Sequence, residues 1–75
     1  MYELSTIFDS RKSFYGKAIV DTIDNYIYLY SYLTKVCRYN KDTKEVEDLD
    51  YYPHSSTTNR HVREFKRQIE AGYIS

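Results

Sequence analysis

The sequence predicts an α+β fold, an antiparallel β-meander of three to four strands with one C-terminal α-helix packed on one face. Two observations carry this prediction. In the segment 26–32, which reads YIYLYSY, tyrosine stands at every second residue, and successive side chains of a strand point to opposite faces of a sheet. In the segment 57–71, apolar residues recur instead at the spacing of one helix face. This change of spacing along the chain indicates strands followed by a helix.

The length of the chain limits the size of its core. Its 75 residues are the length of one small domain, and such a domain buries a thin core. We expect a single domain over 1–75, in which 1–12 is an N-terminal arm or helical turn, 13–50 is the meander and 57–71 is the helix. A homodimer would give such a small core additional support.

The first strand is predicted from Ser13 to Thr22, where polar and apolar residues alternate. Gly16 lies inside this segment and suggests a bulge or a close approach by another group. Asp24 and Asn25 follow as a turn pair, since both residues tolerate the left-handed backbone conformation.

The tyrosine-rich strand comes next. Its alternation places Ile27 and Leu29 on the face toward the helix and four phenol rings on the other face. The rings belong to Tyr26, Tyr28, Tyr30 and Tyr32. An exposed aromatic patch of this kind is typical of an interface, because tyrosine combines rigid contact area with a hydroxyl group.

Two further strands are expected at 34–39 and 45–49, separated by a polar turn at 40–44. Tyr51-Tyr52-Pro53 is expected to leave the sheet, because proline cannot donate a hydrogen bond to a strand ladder.

The predicted helix has recognisable ends and an apolar stripe. Ser55-Ser56-Thr57-Thr58 supplies candidate N-caps, and Gly72 stands where a C-cap glycine belongs. Val62, Phe65 and Ile69 form a stripe that we expect to pack on the sheet. Three basic residues, Arg60, Arg63 and Arg67, lie roughly opposite this stripe.

Composition argues against several classes of function. The lone Cys37 cannot form an internal disulfide, and with His54 and His61 it lacks the spacing of zinc ligands. We see no catalytic set, and we expect a non-enzymatic protein without metal or cofactor. The segment 1–10 lacks the basic start of a signal peptide, and no apolar run approaches the roughly 18 residues that span a bilayer. We therefore expect a cytoplasmic protein without membrane contact.

Charge is balanced in number but not in position. The chain has 11 basic and 11 acidic residues, yet five acids fall between Asp42 and Asp50 against the single Lys44. These acids either protect an edge strand from pairing with another sheet or mimic a phosphate backbone toward a basic partner. Three of them form a second predicted contact patch, namely Glu45, Glu47 and Asp48.

Three blocks of the sequence occur in a fixed order: SFYGKA at 13–18, LYSY followed by Thr34, and YY followed by TTNRHVREF at 57–65. Together they resemble a family of small uncharacterised proteins carried by bacteriophages and other mobile elements. The resemblance implies a mobile-element origin and a compact α+β fold, with no established activity. At Leu33 the chain departs from the pattern, where members often show Asp.

The leading hypothesis is a non-enzymatic phage-type protein that binds another protein through the four tyrosines. The resemblance and the small size favour an inhibitor of a host defence system, similar to an anti-CRISPR protein, acting in the host cytoplasm. The target in this hypothesis is a host protein, such as a component of that defence system.

The alternative is a small nucleic-acid-binding protein that uses Arg60, Arg63 and Arg67 on phosphates. Zero net charge argues against it, because nucleic-acid modules usually show a basic excess. The i, i+4 spacing also predicts that Glu64 partly neutralises Arg60.

His61 and the threonines before it have two readings each. His61 suits a general base, but the sequence favours a structural histidine that bonds a backbone carbonyl or a tyrosine hydroxyl. Thr57 and Thr58 stand where a helix N-terminus can hold phosphate, although ordinary capping is the favoured role.

Overall fold

The computed structural model describes residues 1–49 and 55–74, which form one antiparallel sheet and one helix. The elements are β1 (Tyr2–Glu3), β2 (Ala18–Ile23), β3 (Tyr26–Ser31), β4 (Thr34–Asn40), β5 (Glu45–Asp48) and α1 (Ser56–Ala71). The strands lie side by side in chain order, and each neighbouring pair is antiparallel. The predicted α+β meander with a C-terminal helix is confirmed, with five strands instead of three to four. The expectation for Tyr51-Tyr52-Pro53 falls outside the described residues.

The segment before β2 is a turn and not the start of the strand, so the prediction of a strand from Ser13 was wrong. Tyr15 and Gly16 have φ angles of 53° and 74°, and the Lys17 amide donates to the Phe14 carbonyl over 3.0 Å. Glycine adopts a positive φ without steric cost. Gly16 therefore closes a turn, and the strand begins only at Ala18.

The hairpin turns follow the expected chemistry at one end of β3 and depart from it at the other. Asp24 has a φ of 53° in the turn between β2 and β3, as expected for the Asp24-Asn25 pair. Tyr32 and Leu33, with φ angles of 51° and 68°, form the turn between β3 and β4. Two consecutive residues with positive φ suit the right-handed twist of a tight hairpin. Tyr32 thus lies beyond the strand in which its spacing had placed it.

A β-bulge interrupts the pairing of β3 with β4. Leu29 lies opposite Cys37 and Tyr30 lies opposite Lys35, which leaves Val36 as an extra residue in β4. The bulge bends the strand and turns two consecutive side chains into the core. Val36 and Cys37 are accordingly 1% and 0% exposed.

The helix ends are those predicted. Ser55 is the N-cap and accepts the Thr58 amide over 3.1 Å. Gly72 is the C-cap, with a φ of 86°, and Tyr73 donates its amide to the Gln68 carbonyl over 2.8 Å. Ile74, just beyond this cap, is buried in the core, which completes a hydrophobic closure of the helix end.

The core lies between the helix and one face of the sheet. Val62 and Phe65 are buried and Ile69 is partly buried, as the stripe predicts. Their partners are the buried residues of the sheet and its flanking segments, Leu4, Phe14, Ala18, Val20, Ile27, Leu29, Val36, Cys37 and Ile74. Ile27 and Leu29 therefore face the helix, and the tyrosines between them in β3 face away from it.

The helix also buries polar residues, which the apolar stripe does not predict. Glu64 accepts the Ile7 amide over 3.2 Å, the Phe8 amide over 2.9 Å and the Gln68 side-chain amide over 2.6 Å. Arg60 pairs instead with Asp9, with Nη1 and Oδ1 3.1 Å apart. The predicted neutralisation of Arg60 by Glu64 was wrong, because Glu64 is turned toward the N-terminal segment.

Candidate functional site

The face of the sheet that points away from the helix carries the predicted tyrosine cluster. Residues opposite one another on neighbouring antiparallel strands share a face. Three rows cross this face: Ile19, Tyr30 and Lys35; Asp21, Tyr28, Arg38 and Glu47; and Ile23, Tyr26, Asn40 and Glu45. We refer to these rows as the open face.

Two cations of β4 lie against the tyrosine rings of β3. Lys35 Nζ is 4.5 Å from the ring centre of Tyr28 and 5.9 Å from that of Tyr30. Arg38 Cζ is 4.1 Å from the ring centre of Tyr26. Such contacts are favourable, because the face of an aromatic ring carries partial negative charge. The rings are half-buried by these neighbours and are therefore held in defined positions.

Acidic residues lie at both ends of the central row and at one end of the row that begins with Ile23. Asp21 ends the central row on the β2 side, and Glu47 ends it on the β5 side, where its Oε1 is 3.1 Å from Arg38 Nη2. Glu45 ends a second row. Two members of the predicted acidic patch, Glu45 and Glu47, thus adjoin the tyrosines.

Two of the predicted contact residues lie elsewhere. Asp48 is opposite the inward-facing Cys37, and its carboxylate is 4.0 Å from Lys66 Nζ on the helix. The ring of Tyr32 lies 5.9 Å from that of His61. Tyr26, Tyr28 and Tyr30 are therefore brought together, whereas Tyr32 and Asp48 belong to other parts of the surface.

The basic surface of the helix is smaller than three arginines would suggest. Asp9 accepts the Arg11 amide and the Arg60 guanidinium, and these two contacts lower the pKa of Asp9. Arg63 and Arg67 are exposed. Together with Phe8, Asp9, Ser10 and Glu64, they line a shallow cavity of about 260 Å³.

A chain of hydroxyl groups connects the N-cap of the helix to His61. Ser55 Oγ donates to Thr58 Oγ1 over 3.2 Å, Thr58 Oγ1 lies 2.9 Å from Ser31 Oγ, and Ser31 Oγ lies 2.8 Å from His61 Nδ1. His61 therefore bonds the Ser31 hydroxyl, and not the carbonyl or tyrosine hydroxyl expected. Burial lowers the pKa of His61, which favours the neutral ring.

The Ser31–His61 pair has the composition of a nucleophile and its base, but not the access. Ser31 is 2% exposed and His61 is 0% exposed. A substrate carbonyl has no path to the Ser31 hydroxyl in this arrangement, and that hydroxyl is already engaged by Thr58. The arrangement supports a structural role for this hydrogen bond.

A second, smaller cavity lies beside His61. It has a volume of about 210 Å³ and is lined by Arg11, Ser13, Phe14, Tyr15, Lys17, Tyr32, Thr57 and His61. We refer to it as the His61 cavity. Its wall combines residues of 13–18, 29–34 and 57–65, the three sequence blocks described above. Sequence reasoning treated these blocks separately and did not identify Arg11 and Lys17 as members of one site.

The fold and these surfaces define a small open-faced α+β protein, in which one helix covers one side of a meander. A model of a family of unknown function (DUF8033) matches residues 2–73, and the chain belongs to this family. Comparisons with curated proteins and with solved structures gave no significant match. The family description assigns no activity, so the function has to be argued from the surfaces.

Two negative findings apply to residues 1–49 and 55–74. Among these residues, no helix combines the length and the hydropathy that spanning a bilayer requires. Within the same residues, no three or more His, Cys, Asp or Glu side chains come together in a way that could hold a metal ion.

Proposed function

We propose that the chain is a non-enzymatic module that binds another protein through the open face. The observation that carries this proposal is the cluster of Tyr26, Tyr28 and Tyr30 along β3, with Lys35 and Arg38 against their rings. Tyrosine and arginine are the residues most enriched where interfaces gain their affinity.

The fixed position of the rings supports binding. Ordering a side chain during association costs about 0.5–1.5 kcal/mol. The rings of Tyr26 and Tyr28 already lie 6.1 Å apart, with Arg38 against the first and Lys35 against the second. A partner would therefore meet a surface that is largely organised before contact.

The acidic residues at the ends of the rows favour binding of a different protein over a homodimer formed through the open face. In a symmetric pairing of two open faces, the acidic ends of one copy, Asp21 and Glu47, would lie against the acidic ends of the other. Asp21 is paired with the Met1 amino group over 3.6 Å and Glu47 with Arg38 over 3.1 Å, and such surface ion pairs reduce the repulsion without removing it. Like charges placed together across an interface are unfavourable. We therefore propose a partner with an apolar, hydrogen-bonding centre and basic residues around it.

The identity of the partner is the finer part of the proposal. The sequence resemblance described above supports a protein of a host defence system, with this chain as its inhibitor. In that setting the open face would occupy a basic surface of the target.

The test is capture of a partner by matched tyrosine variants. We expect the unchanged chain to capture a partner from host lysate, and capture that persists after nuclease treatment identifies that partner as a protein. The double variant Tyr28→Ser, Tyr30→Ser should lose this partner. The control Tyr73→Ser removes an exposed tyrosine that lies away from the open face, and this variant should still capture the partner. A photoreactive phenylalanine at position 28 should crosslink to the same protein, whereas one at position 73 should not.

The outcome that contradicts the proposal is equally specific. If the double variant unfolds, the rings belong to the structural core and not to an interface. If it folds and still captures the partner, the open face is not the binding surface.

Exposed Arg63 and Arg67 keep nucleic-acid binding as a second candidate. The Arg60–Asp9 pair weakens it, because one of three cations is already neutralised. Binding of labelled oligonucleotides that weakens steeply with salt and is lost in Arg63→Gln, Arg67→Gln would support it. No binding at low salt would exclude it.

A further inference from the structure

We propose that the His61 cavity binds the phosphate group of a small ligand. This inference is independent of the open face, because the cavity lies on the helix side of the sheet, where the turn 13–17, the β3–β4 turn and the start of α1 meet. Three features of its wall carry the inference: a ring nitrogen of His61 without a partner among the described residues, the N-terminus of the helix and two cations.

The first feature is His61 Nε2. His61 is fully buried and lines the cavity, and its Nε2 has no hydrogen-bond partner among the residues that the structure describes. A buried polar atom without a partner is costly. A ligand atom that reached Nε2 from the cavity would remove that cost.

The hydrogen-bond chain determines which kind of atom Nε2 needs. Ser55 donates its hydroxyl proton to Thr58. If each following hydroxyl passes its own proton along, Thr58 donates to Ser31 and Ser31 donates to His61 Nδ1. A neutral imidazole that accepts at Nδ1 carries its proton on Nε2. Nε2–H is then a donor, and it requires an acceptor such as a phosphate oxygen.

The second feature is the N-terminus of α1. The amides of the first helical turn have no intrahelical acceptor, and the helix dipole places partial positive charge there. Ser55 satisfies the Thr58 amide, but a cap of this kind leaves the preceding amides of Ser56 and Thr57 without an intrahelical bond. The first turn contains no acidic residue, and Thr57 lines the cavity. This combination favours an oxyanion.

The third feature is the pair Arg11 and Lys17, which line the cavity from the segment between β1 and β2. Two acids lie in the same N-terminal segment, and neither lines the cavity. Glu3 accepts the Gly16 amide over 2.9 Å. Asp9 bonds the Arg60 guanidinium and the Arg11 amide, and its charge also acts on Arg11 and His61. Lys17 and the Arg11 guanidinium make no ion pair among the described residues, so both can bind an anion.

The size of the cavity limits the ligand. Pockets for drug-sized molecules have volumes of about 300–1,000 Å³, and the His61 cavity has about 210 Å³. One phosphate group fits this space. The exposed rings of Tyr15 and Tyr32 at its wall offer a surface on which a planar group attached to that phosphate could stack.

The experiment is a nuclear magnetic resonance titration of the whole chain with inorganic phosphate at constant ionic strength, set by chloride. We expect saturable shifts of the His61 side-chain Nε2 and of the Ser56, Thr57 and Arg11 amides. A parallel titration with a nucleoside monophosphate tests the attached group, and tighter binding than phosphate would show that the ring contributes. Absence of saturable shifts with both probes would overturn the proposal.

Charge variants distinguish phosphate binding in the cavity from nonspecific attraction of phosphate to a positively charged protein. We expect Arg11→Gln, Lys17→Gln to weaken phosphate binding by about tenfold or more, since each charge-assisted contact is a strong one. Lys41→Gln, Lys44→Gln removes the same charge from the turn between β4 and β5 and should leave the affinity unchanged. Equal weakening by both pairs would overturn the proposal.

Two histidine variants test whether the Nε2 atom of His61 contacts the phosphate. The amide of asparagine can take the place of Nδ1, and that of glutamine the place of Nε2. His61→Asn should therefore keep the contact to Ser31 and lose phosphate binding, whereas His61→Gln should retain more of it. Equal affinity in the two folded variants would contradict the role of Nε2. If either variant fails to fold, the charge variants decide.

Discussion

The buried carboxylate of Glu64 offers the most direct test of how this fold holds its N-terminal segment. Glu64 lies on the helix, yet it accepts the backbone amides of Ile7 and Phe8, 57 and 56 residues earlier in the chain. The side-chain amide of Gln68 donates to the same carboxylate over 2.6 Å and to the Ser5 carbonyl over 2.7 Å. Replacing Glu64 by alanine removes the common acceptor of all three donors.

The size of the effect follows from these contacts. A hydrogen bond to a charged group contributes about 1.5–3 kcal/mol. The Gln68 amide keeps its bond to the Ser5 carbonyl, so two backbone bonds are counted. In full they amount to about 3–6 kcal/mol, but the partly exposed Ile7 and Phe8 amides recover water when Glu64 is lost. We therefore expect Glu64→Ala to lower the free energy of unfolding by about 3–4 kcal/mol. That is a large share of the roughly 4–11 kcal/mol typical of a chain of this length.

A milder variant and a control make the measurement interpretable. Glu64→Gln keeps the shape and one acceptor oxygen but places a second amide against Gln68, so a loss of about 1–2 kcal/mol is expected. Glu70→Ala removes an exposed acid from the same helix and should change stability by less than about 0.5 kcal/mol. Urea unfolding followed by circular dichroism gives all three values, and hydrogen exchange reports on the two amides directly.

The reasoning would be refuted by either of two results. One is a loss below about 1 kcal/mol in Glu64→Ala, which is less than a single charge-assisted hydrogen bond contributes. The other is unchanged exchange protection of the Ile7 and Phe8 amides in that variant, because they would then have other acceptors.

Three further predictions concern single residues. Burial lowers the pKa of His61 below its usual 6.5, so the unfolded chain takes up a proton that the folded chain resists. The free energy of unfolding should therefore fall as the pH drops below about 6.5, and this fall should end once the pH is below the pKa of His61 in the folded chain. Urea midpoints measured from about pH 7.5 to about pH 5 test this, and His61→Gln should show a shallower dependence. Burial, with the Asp48 carboxylate nearby, raises the pKa of Cys37 to about 12. The thiol should react with Ellman's reagent only after denaturant is added, and rapid reaction of the native chain would contradict its burial. Leu33 is 92% exposed at a φ of 68°, so Leu33→Asp should raise the free energy of unfolding by several tenths of a kcal/mol, since aspartate tolerates this conformation better. A lower thermal midpoint in this variant would count against the strain.

Features that depend on neighbouring residues were accessible from the sequence. The alternation of Ile27 and Leu29 with tyrosines predicted which side of β3 faces the helix. Ser55 and Gly72 predicted the ends of the helix, because a cap acts within one turn of the residue that provides it. Spacing over a few residues is enough for such predictions.

Features that depend on pairing between distant segments required the tertiary structure. Alternation placed Tyr32 in the strand, but the hairpin closes at Tyr32 and Leu33. The bulge that buries both Val36 and Cys37 arises from the register between β3 and β4, which no single strand encodes. A periodic pattern describes one element, whereas register is set by two.

The polar contacts show the same limit. His61 and Glu64 lie one turn apart on the helix, next to the predicted apolar stripe, and nothing in their spacing identifies Ser31, 30 residues away, or Phe8, 56 residues away, as partners. A hydrogen bond needs its two atoms within about 3.5 Å, and only the packed chain brings these segments that close. The chain's local patterns thus decided its elements and their inward faces, and the long-range packing decided which residues adjoin the tyrosines on the open face, the Glu64 contacts and the His61 cavity.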